Sequence, residues 1–231
     1  LRVELDGLIA LYQQGKYPEV LDKGALLSEQ YPDDPNIPNL LGVVNAALQN
    51  HEEAITHYNK AIKLKPNYAE AYSNLGSSLK ELKKFKEAII VFDKSIKIMP
   101  KLAEAYGNRG NCLNGLGKFS EAISSLKIAI RIKPYVADFQ NSLGVSLNNL
   151  SRNTSALKSF KRAAVLNPDY VQTYNNLGST LNKTGRPIET IKNSKRAIIL
   201  DTSYLDAYKV LGVASLEIEF TQKAIVNFKK V

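Results

Sequence analysis

The stretch YSNLGSSLKELKKFKEAIIVFDKSIKIMP, Tyr72–Pro100, is answered thirty-four residues later by YGNRGNCLNGLGKFSEAISSLKIAIRIKP, Tyr106–Pro134. Both begin with tyrosine, carry glycine four residues on, place alanine at the centre and end in proline. The chain repeats itself, so the repeat unit governs every other reading. Prolines recur at Pro32, Pro66, Pro100, Pro134 and Pro168 without an insertion. With the proline as the thirty-second place of each unit, glycine holds the eighth place at Gly42, Gly76, Gly110, Gly144, Gly178 and Gly212. Alanine holds the twentieth at Ala54, Ala88, Ala122, Ala156 and Ala224.

Aromatic residues hold the fourth place at Tyr72, Tyr106, Tyr174 and Tyr208, and the twenty-fourth at Tyr58, Phe92, Phe160 and Phe228. In the first half of each unit, apolar residues near places four, seven, eight and eleven fall on one side of a 3.6-residue helix. Those at twenty, twenty-four and twenty-seven do the same in a second helix. Each helix buries one stripe, the short Gly117-Lys118 and Gly185-Arg186-Pro187 connections force antiparallel neighbours, and the proline ends the second helix. Glycine at the eighth place and alanine at the twentieth are missing side chains that let paired helices approach closely. That outweighs the roughly 1 kcal/mol by which glycine disfavours a helix.

These places match the tetratricopeptide signature, and the chain resembles the tetratricopeptide-repeat (TPR) family along essentially its whole length. The resemblance implies an all-α fold, a right-handed superhelix (α-solenoid) of about seven helix-turn-helix units. These span 1–34, 35–68, 69–102, 103–136, 137–170, 171–204 and an incomplete 205–231, forming a single array over 1–231. The first unit departs from the pattern at Leu8 and Gly24, and the second at Pro38. The unit over 171–204 has Thr190, Ser194 and Thr202 where alanine, an aromatic and proline belong, which predicts the loosest joint. The array stops at Val231 within a second helix, with no polar capping helix after it, and reads as part of a longer polypeptide.

The apolar fraction of 44% suits a folded chain, and no apolar run approaches the roughly 18 residues that a membrane-spanning helix needs. A single cysteine excludes an internal disulfide framework and favours a reducing compartment, the cytoplasm before others. His51 and His57 lie six apart without acidic or thiol partners at ligand spacing, so they read as solvent-facing helix residues, with no metal site and no cofactor expected. Cys112, at the tenth place where only small residues occur, reads as packing. The titratable groups do not converge, and no catalytic residue is assigned: this chain is not expected to be an enzyme.

Places two, five, six, nine, twelve and thirteen of the first helices face away from the buried stripe. They carry an excess of amides and hydroxyls: Asn74, Ser77, Asn108 and Asn111 in the first part of the array, then Asn141, Asn148, Asn175, Asn176, Ser179 and Asn182. In a TPR array the first helices line the concave surface. A ladder of amides there can hold the backbone of an extended peptide, since each offers two donors and an acceptor. The function expected is thus a non-catalytic scaffold that binds a protein or peptide segment in its concave groove.

Asparagine at the sixth place is similar to the TPR arm of O-linked N-acetylglucosamine transferases, matched by Asn74, Asn108 and Asn176. This resemblance implies the alternative: a substrate-recruiting arm of a larger glycosyltransferase whose catalytic part lies outside this chain. The set of lysines, asparagines and arginine that clamps carboxy-terminal EEVD peptides in other TPR proteins is absent from any three consecutive units.

The net charge is +9 and the pI near 9.4, which for a compact domain would suggest nucleic acid. The cations, however, recur on second helices: Lys60, Lys94, Arg162, Arg196 and Lys230 at the twenty-sixth place, and Lys127, Lys161, Lys195 and Lys229 at the twenty-fifth. The second place of the first helices is acidic at Glu70, Glu104, Asp138 and Asp206, which disfavours phosphates in the groove. Nucleic acid is accordingly not the expected partner.

Overall fold

The computed structural model describes residues 2–228, with side chains through residue 221. The described residues form helices and no strands. They divide into two compact units, Leu1–Gly117 and Lys118–Val231. The first holds α1 (Arg2–Gln13), α2 (Tyr17–Gln30), α3 (Asn36–Ala47), α4 (His51–Leu64), α5 (Ala69–Glu81), α6 (Phe85–Ile98) and α7 (Ala103–Gly115). The second holds α8 (Phe119–Ile132), α9 (Ala137–Asn149), α10 (Asn153–Leu166), α11 (Val171–Lys183), α12 (Pro187–Leu200) and α13 (Leu205–Phe228).

Within each unit the odd-numbered helices touch one another as well as their even-numbered neighbours: α1 meets α3, α3 meets α5 and α5 meets α7, and in the second unit α9 meets α11 and α11 meets α13. No such contact joins successive even-numbered helices among the described residues. The odd-numbered helices therefore form the inner, more closely spaced layer of each unit.

The turn inside each helix pair falls at one place, the fifteenth, and has one conformation. Gly15, Gly117 and Gly185 adopt φ of 73°, 73° and 67°, and Gln49, Lys83 and Ser151 adopt 64°, 58° and 58°. The next amide reaches back to a carbonyl five residues earlier: Lys16 to Leu11 at 3.0 Å, Asn50 to Asn45 at 2.8 Å, Lys84 to Leu79 at 2.9 Å, Arg152 to Leu147 at 2.9 Å, Arg186 to Leu181 at 3.1 Å. This is the Schellman closure, which satisfies carbonyls that the helix end leaves open. Glycine suits the left-handed turn because a Cβ there collides with the following carbonyl. The turns at Gln49, Lys83 and Ser151 bear that cost.

The unit expected over 205–231 does not turn at its fifteenth place. Glu219 stays helical inside α13, which runs unbroken from Leu205 to Phe228. The packing expected of the Ala224 and Phe228 side chains lies outside the described side chains, and Lys229, Lys230 and Val231 lie outside the described residues.

In three of the repeats the glycine at the eighth place faces a ring at the twenty-fourth. A Cβ on Gly42 would stand 2.5 Å from the Tyr58 ring, on Gly76 2.7 Å from Phe92, and on Gly144 2.5 Å from Phe160. The three rings are fully buried. In the first unit of the repeat the sizes are exchanged: Leu8 is buried, and a Cβ on Gly24 would meet Leu41 at 2.7 Å and Leu8 at 3.8 Å. The departure at Leu8 and Gly24 is a large residue and a small one trading sides.

Candidate functional site: the inner helix faces

Every one of the ten inner-face residues singled out in the sequence lies on an odd-numbered helix, and none is fully exposed. They are not equivalent. In the first unit Asn74 Nδ2 donates to Asn39 Oδ1 at 3.2 Å, and Asn108 Nδ2 donates to Ser77 Oγ at 3.3 Å. Lys80 Nζ donates to Asn108 Oδ1 at 3.2 Å, and Ser77 Oγ donates to the Ser73 carbonyl at 3.0 Å. Asn111 is half-buried on α7.

The second unit repeats the pattern. Asn176 Nδ2 donates to Asn141 Oδ1 at 3.1 Å, and Thr173 Oγ1 donates to the same oxygen at 3.3 Å. Asn141 is 7% exposed, so it serves the join between α9 and α11. The two asparagine pairs, Asn39 with Asn74 and Asn141 with Asn176, share a thirty-five-residue separation. The fifth place of one repeat and the sixth of the next thus tie neighbouring inner helices together.

Asn148, Asn175 and Asn182 stand apart from this ladder. Each is half-buried, and the carbonyl oxygen of each is shut from solvent with no hydrogen-bond partner. Among the described residues these three amides are uncommitted. Ser179 is half-buried beside them on α11.

In the first unit the inner face of α3 and α5 encloses a recess of about 520 Å³ whose lining includes Tyr12, His51, Asn74, Ser77 and Ser78. Ser78 is 2% exposed, and its hydroxyl has no partner. Ser146 and Thr180, at the same tenth place, instead donate to carbonyls one turn back, at 3.0 and 2.7 Å. His51 Nε2 lies 3.3 Å from Gln49 Oε1. Its Nδ1 is shut from solvent and has no hydrogen-bond partner.

The reading of both histidines as solvent-facing needs correction. His51 is half-buried against this recess, and His57, half-buried with Glu53 3.6 Å away, has its pKa lowered mainly by burial. Among the described residues no group of three or more His, Cys, Asp or Glu side chains could hold a metal ion. Cys112 is fully buried, and burial pushes its thiol up to about 11, so at neutral pH it is protonated and inert.

The outer cations are partly engaged. Lys60 Nζ donates to Ser28 Oγ at 3.1 Å. Lys94 lies over the Tyr72 ring at 5.8 Å and Arg196 over the Tyr174 ring at 5.7 Å. Arg196 also approaches Asp169 at 3.5 Å.

The sequence pattern found the inner face but missed Asn39, Thr173, Ser78 and His51. The thirty-five-residue spacing of Asn39 and Asn74, and of Asn141 and Asn176, is the sequence signal of the ladder, and nothing in the sequence distinguishes Ser78 from Ser146.

Models of the tetratricopeptide repeat match residues 45–83, 69–102 and 108–171. No curated protein matches the sequence. Among solved structures, the chain is 19% identical to YrrB, a TPR protein with an unusual peptide-binding site, over 80% of this chain and 96% of that one, with a TM-score of 0.64. It is 14% identical to PilF of Pseudomonas aeruginosa over 90% and 95%, with a TM-score of 0.79. It superposes on a chain of the APC/C Cut9–Hcn1 hetero-tetramer at 19% identity over 95% of this chain and 43% of that one, with a TM-score of 0.80. At these identities the likeness is one of fold. Among the described residues no helix is long and apolar enough to cross a membrane.

Proposed function

The chain belongs to the tetratricopeptide-repeat family, whose arrays serve as protein-interaction scaffolds, and from that premise we propose that its inner helix faces bind an extended peptide by the backbone. The observation that carries this reading is the division of the inner amides into two classes. Asn74, Asn108, Asn141 and Asn176 are consumed in holding neighbouring helices together. Asn148, Asn175 and Asn182 have no such duty, and each keeps a carbonyl oxygen without a partner.

Buried polar atoms are almost always paired, so three unpaired amides on one face have a hydrogen bond to gain from a ligand. Asn175 and Asn182 lie seven residues apart on α11, two turns along one side of the helix. Asn148 holds the same twelfth place on α9 as Asn182 on α11. A half-turn of each side-chain amide presents either donor or acceptor, which suits a peptide backbone offering both.

At about 0.5–1.5 kcal/mol net per hydrogen bond, three such amides together are worth roughly tenfold or more in affinity. The test is calorimetric titration of an unstructured alanine- and serine-rich peptide against the same peptide N-methylated at alternate amides. Binding should weaken by about tenfold or more on N-methylation, and to the same degree in the Asn148→Ala, Asn175→Ala, Asn182→Ala triple variant. Equal affinity for both peptides would overturn the proposal.

A further inference from the structure

On the outer side of the second unit one repeat lacks the residue that fills its neighbours. At the fourth place Tyr72 and Tyr174 sit beneath cations of the twenty-sixth place, Lys94 at 5.8 Å and Arg196 at 5.7 Å. In the repeat over 137–170 the cation is present as Arg162, but the fourth place is Gln140. A recess of about 420 Å³ lies where that pair would be, lined by Gln140, Lys158, Ser159, Lys161, Arg162 and Val165. Its volume is in the range of small-ligand sites. Val165 is 70% exposed and gives the recess an apolar wall. Lys158, Lys161 and Arg162 are exposed, and among the described residues none of the three has a carboxylate partner.

We propose that this recess is a docking site for a partner protein's aromatic side chain flanked by carboxylates. The chain itself shows how the slot is filled elsewhere: a tyrosine ring under a lysine or arginine. A ring supplied in trans would lie against Val165 and the α10 stem and face Arg162, while neighbouring carboxylates would meet Lys158 and Lys161. The aromatic component distinguishes this site from a lysine-rich surface that attracts any polyanion. It is separate from the inner face and does not depend on peptide binding there.

The probe is a short peptide with one tyrosine between glutamates, compared with its alanine counterpart, titrated into the full chain. Stacking of a ring under a partly desolvated cation contributes about 0.5–2 kcal/mol, so the tyrosine peptide should bind roughly two- to thirtyfold more tightly. Gln140→Tyr fills the slot from within, and should abolish that preference without lowering the melting temperature, since the same tyrosine is accommodated at Tyr72 and Tyr174. Gln140→Ala leaves the recess open and should retain the preference, whereas Arg162→Gln should lose it. If the two peptides bind alike and weaken together as salt is raised, counterion release from a general basic surface explains the binding and the proposed site does not exist.

Discussion

The helix pairs α9/α10 and α11/α12 are adjacent copies of one design that close in different ways. In the first, the Phe160 ring lies in the hollow left by Gly144, where a Cβ would stand only 2.5 Å from the ring. In the second, Ser194 takes the place of the ring, and a Cβ on Gly178 would meet Ser194 Oγ at 3.0 Å and Val210 at 3.4 Å. Thr190 replaces the alanine of the other pair, and its hydroxyl donates to the Arg186 carbonyl at 3.0 Å and the Gly178 carbonyl at 3.4 Å. Both Thr190 and Ser194 are fully buried, yet Ser194 Oγ has no partner. One pair is closed by ring burial, the other by small side chains and hydroxyls. The ring explains the glycine in the first pair; in the second, glycine is kept although its nearest contacts are looser.

The largest difference should appear when the closing side chain is removed. Phe160→Ala should cost about 3–5 kcal/mol of stability through lost burial and the cavity left behind. Ser194→Ala should be neutral or stabilising, because it deletes a buried hydroxyl that has no partner. Denaturant melts of the two variants check this, and a Ser194→Ala loss as large as that of Phe160→Ala would abolish the contrast.

Next in size are the glycines. Gly144→Ala should destabilise by about 1–3 kcal/mol as the methyl is forced against Phe160. Gly178→Ala should change stability by less than about 1 kcal/mol, because the gain in helix propensity offsets a contact that Ser194 can relieve. Similar losses in both would mean that the glycine serves something other than the ring.

The turns of the two pairs differ as well. Gly185→Ala places a Cβ in the left-handed conformation at φ 67° and should cost about 1–2 kcal/mol. Ser151→Gly, at φ 58° in the other pair, should be neutral or stabilise by up to about 1 kcal/mol. Thermal melts with the same sign of change at both positions would contradict the common turn geometry.

The smallest effect is local. In a nearest-neighbour array a weaker closure lowers stability where it occurs, so amide hydrogen exchange should be faster over 188–200 than over 154–166. Equal protection would show that the hydroxyl closure is as firm as the ring.

Much of this was legible in the sequence. The period, the two stripes per unit, and the concentration of amides on the first helices follow from residue spacing, because helix geometry converts spacing into facing. What spacing does not contain is the relation between stacked units. Asn141 reads as one more groove amide, but the packing of α9 against α11 turns it into an acceptor for Asn176 and Thr173. The left-handed turns at Gln49, Lys83 and Ser151 were hidden because none is glycine. Nor did the pattern show that α13 would continue through Glu219, since every earlier unit turns there whatever its residue. The recess at Gln140 is visible in sequence only as a missing tyrosine, and it gains meaning from the cations packed on Tyr72 and Tyr174.

On the proposed function, the uncommitted amides, and not the ladder or the outer face, receive a peptide backbone. The most direct measurement is to follow the side-chain amide resonances of the asparagines by NMR while the alanine- and serine-rich peptide is added. Those of Asn148, Asn175 and Asn182 should shift together and saturably. That of Asn193, whose Nδ2 already donates to the Glu189 carbonyl at 2.8 Å on α12, should stay in place. Shifts confined to outer residues such as Asn193, with the three inner amides unmoved at saturation, would contradict the claim.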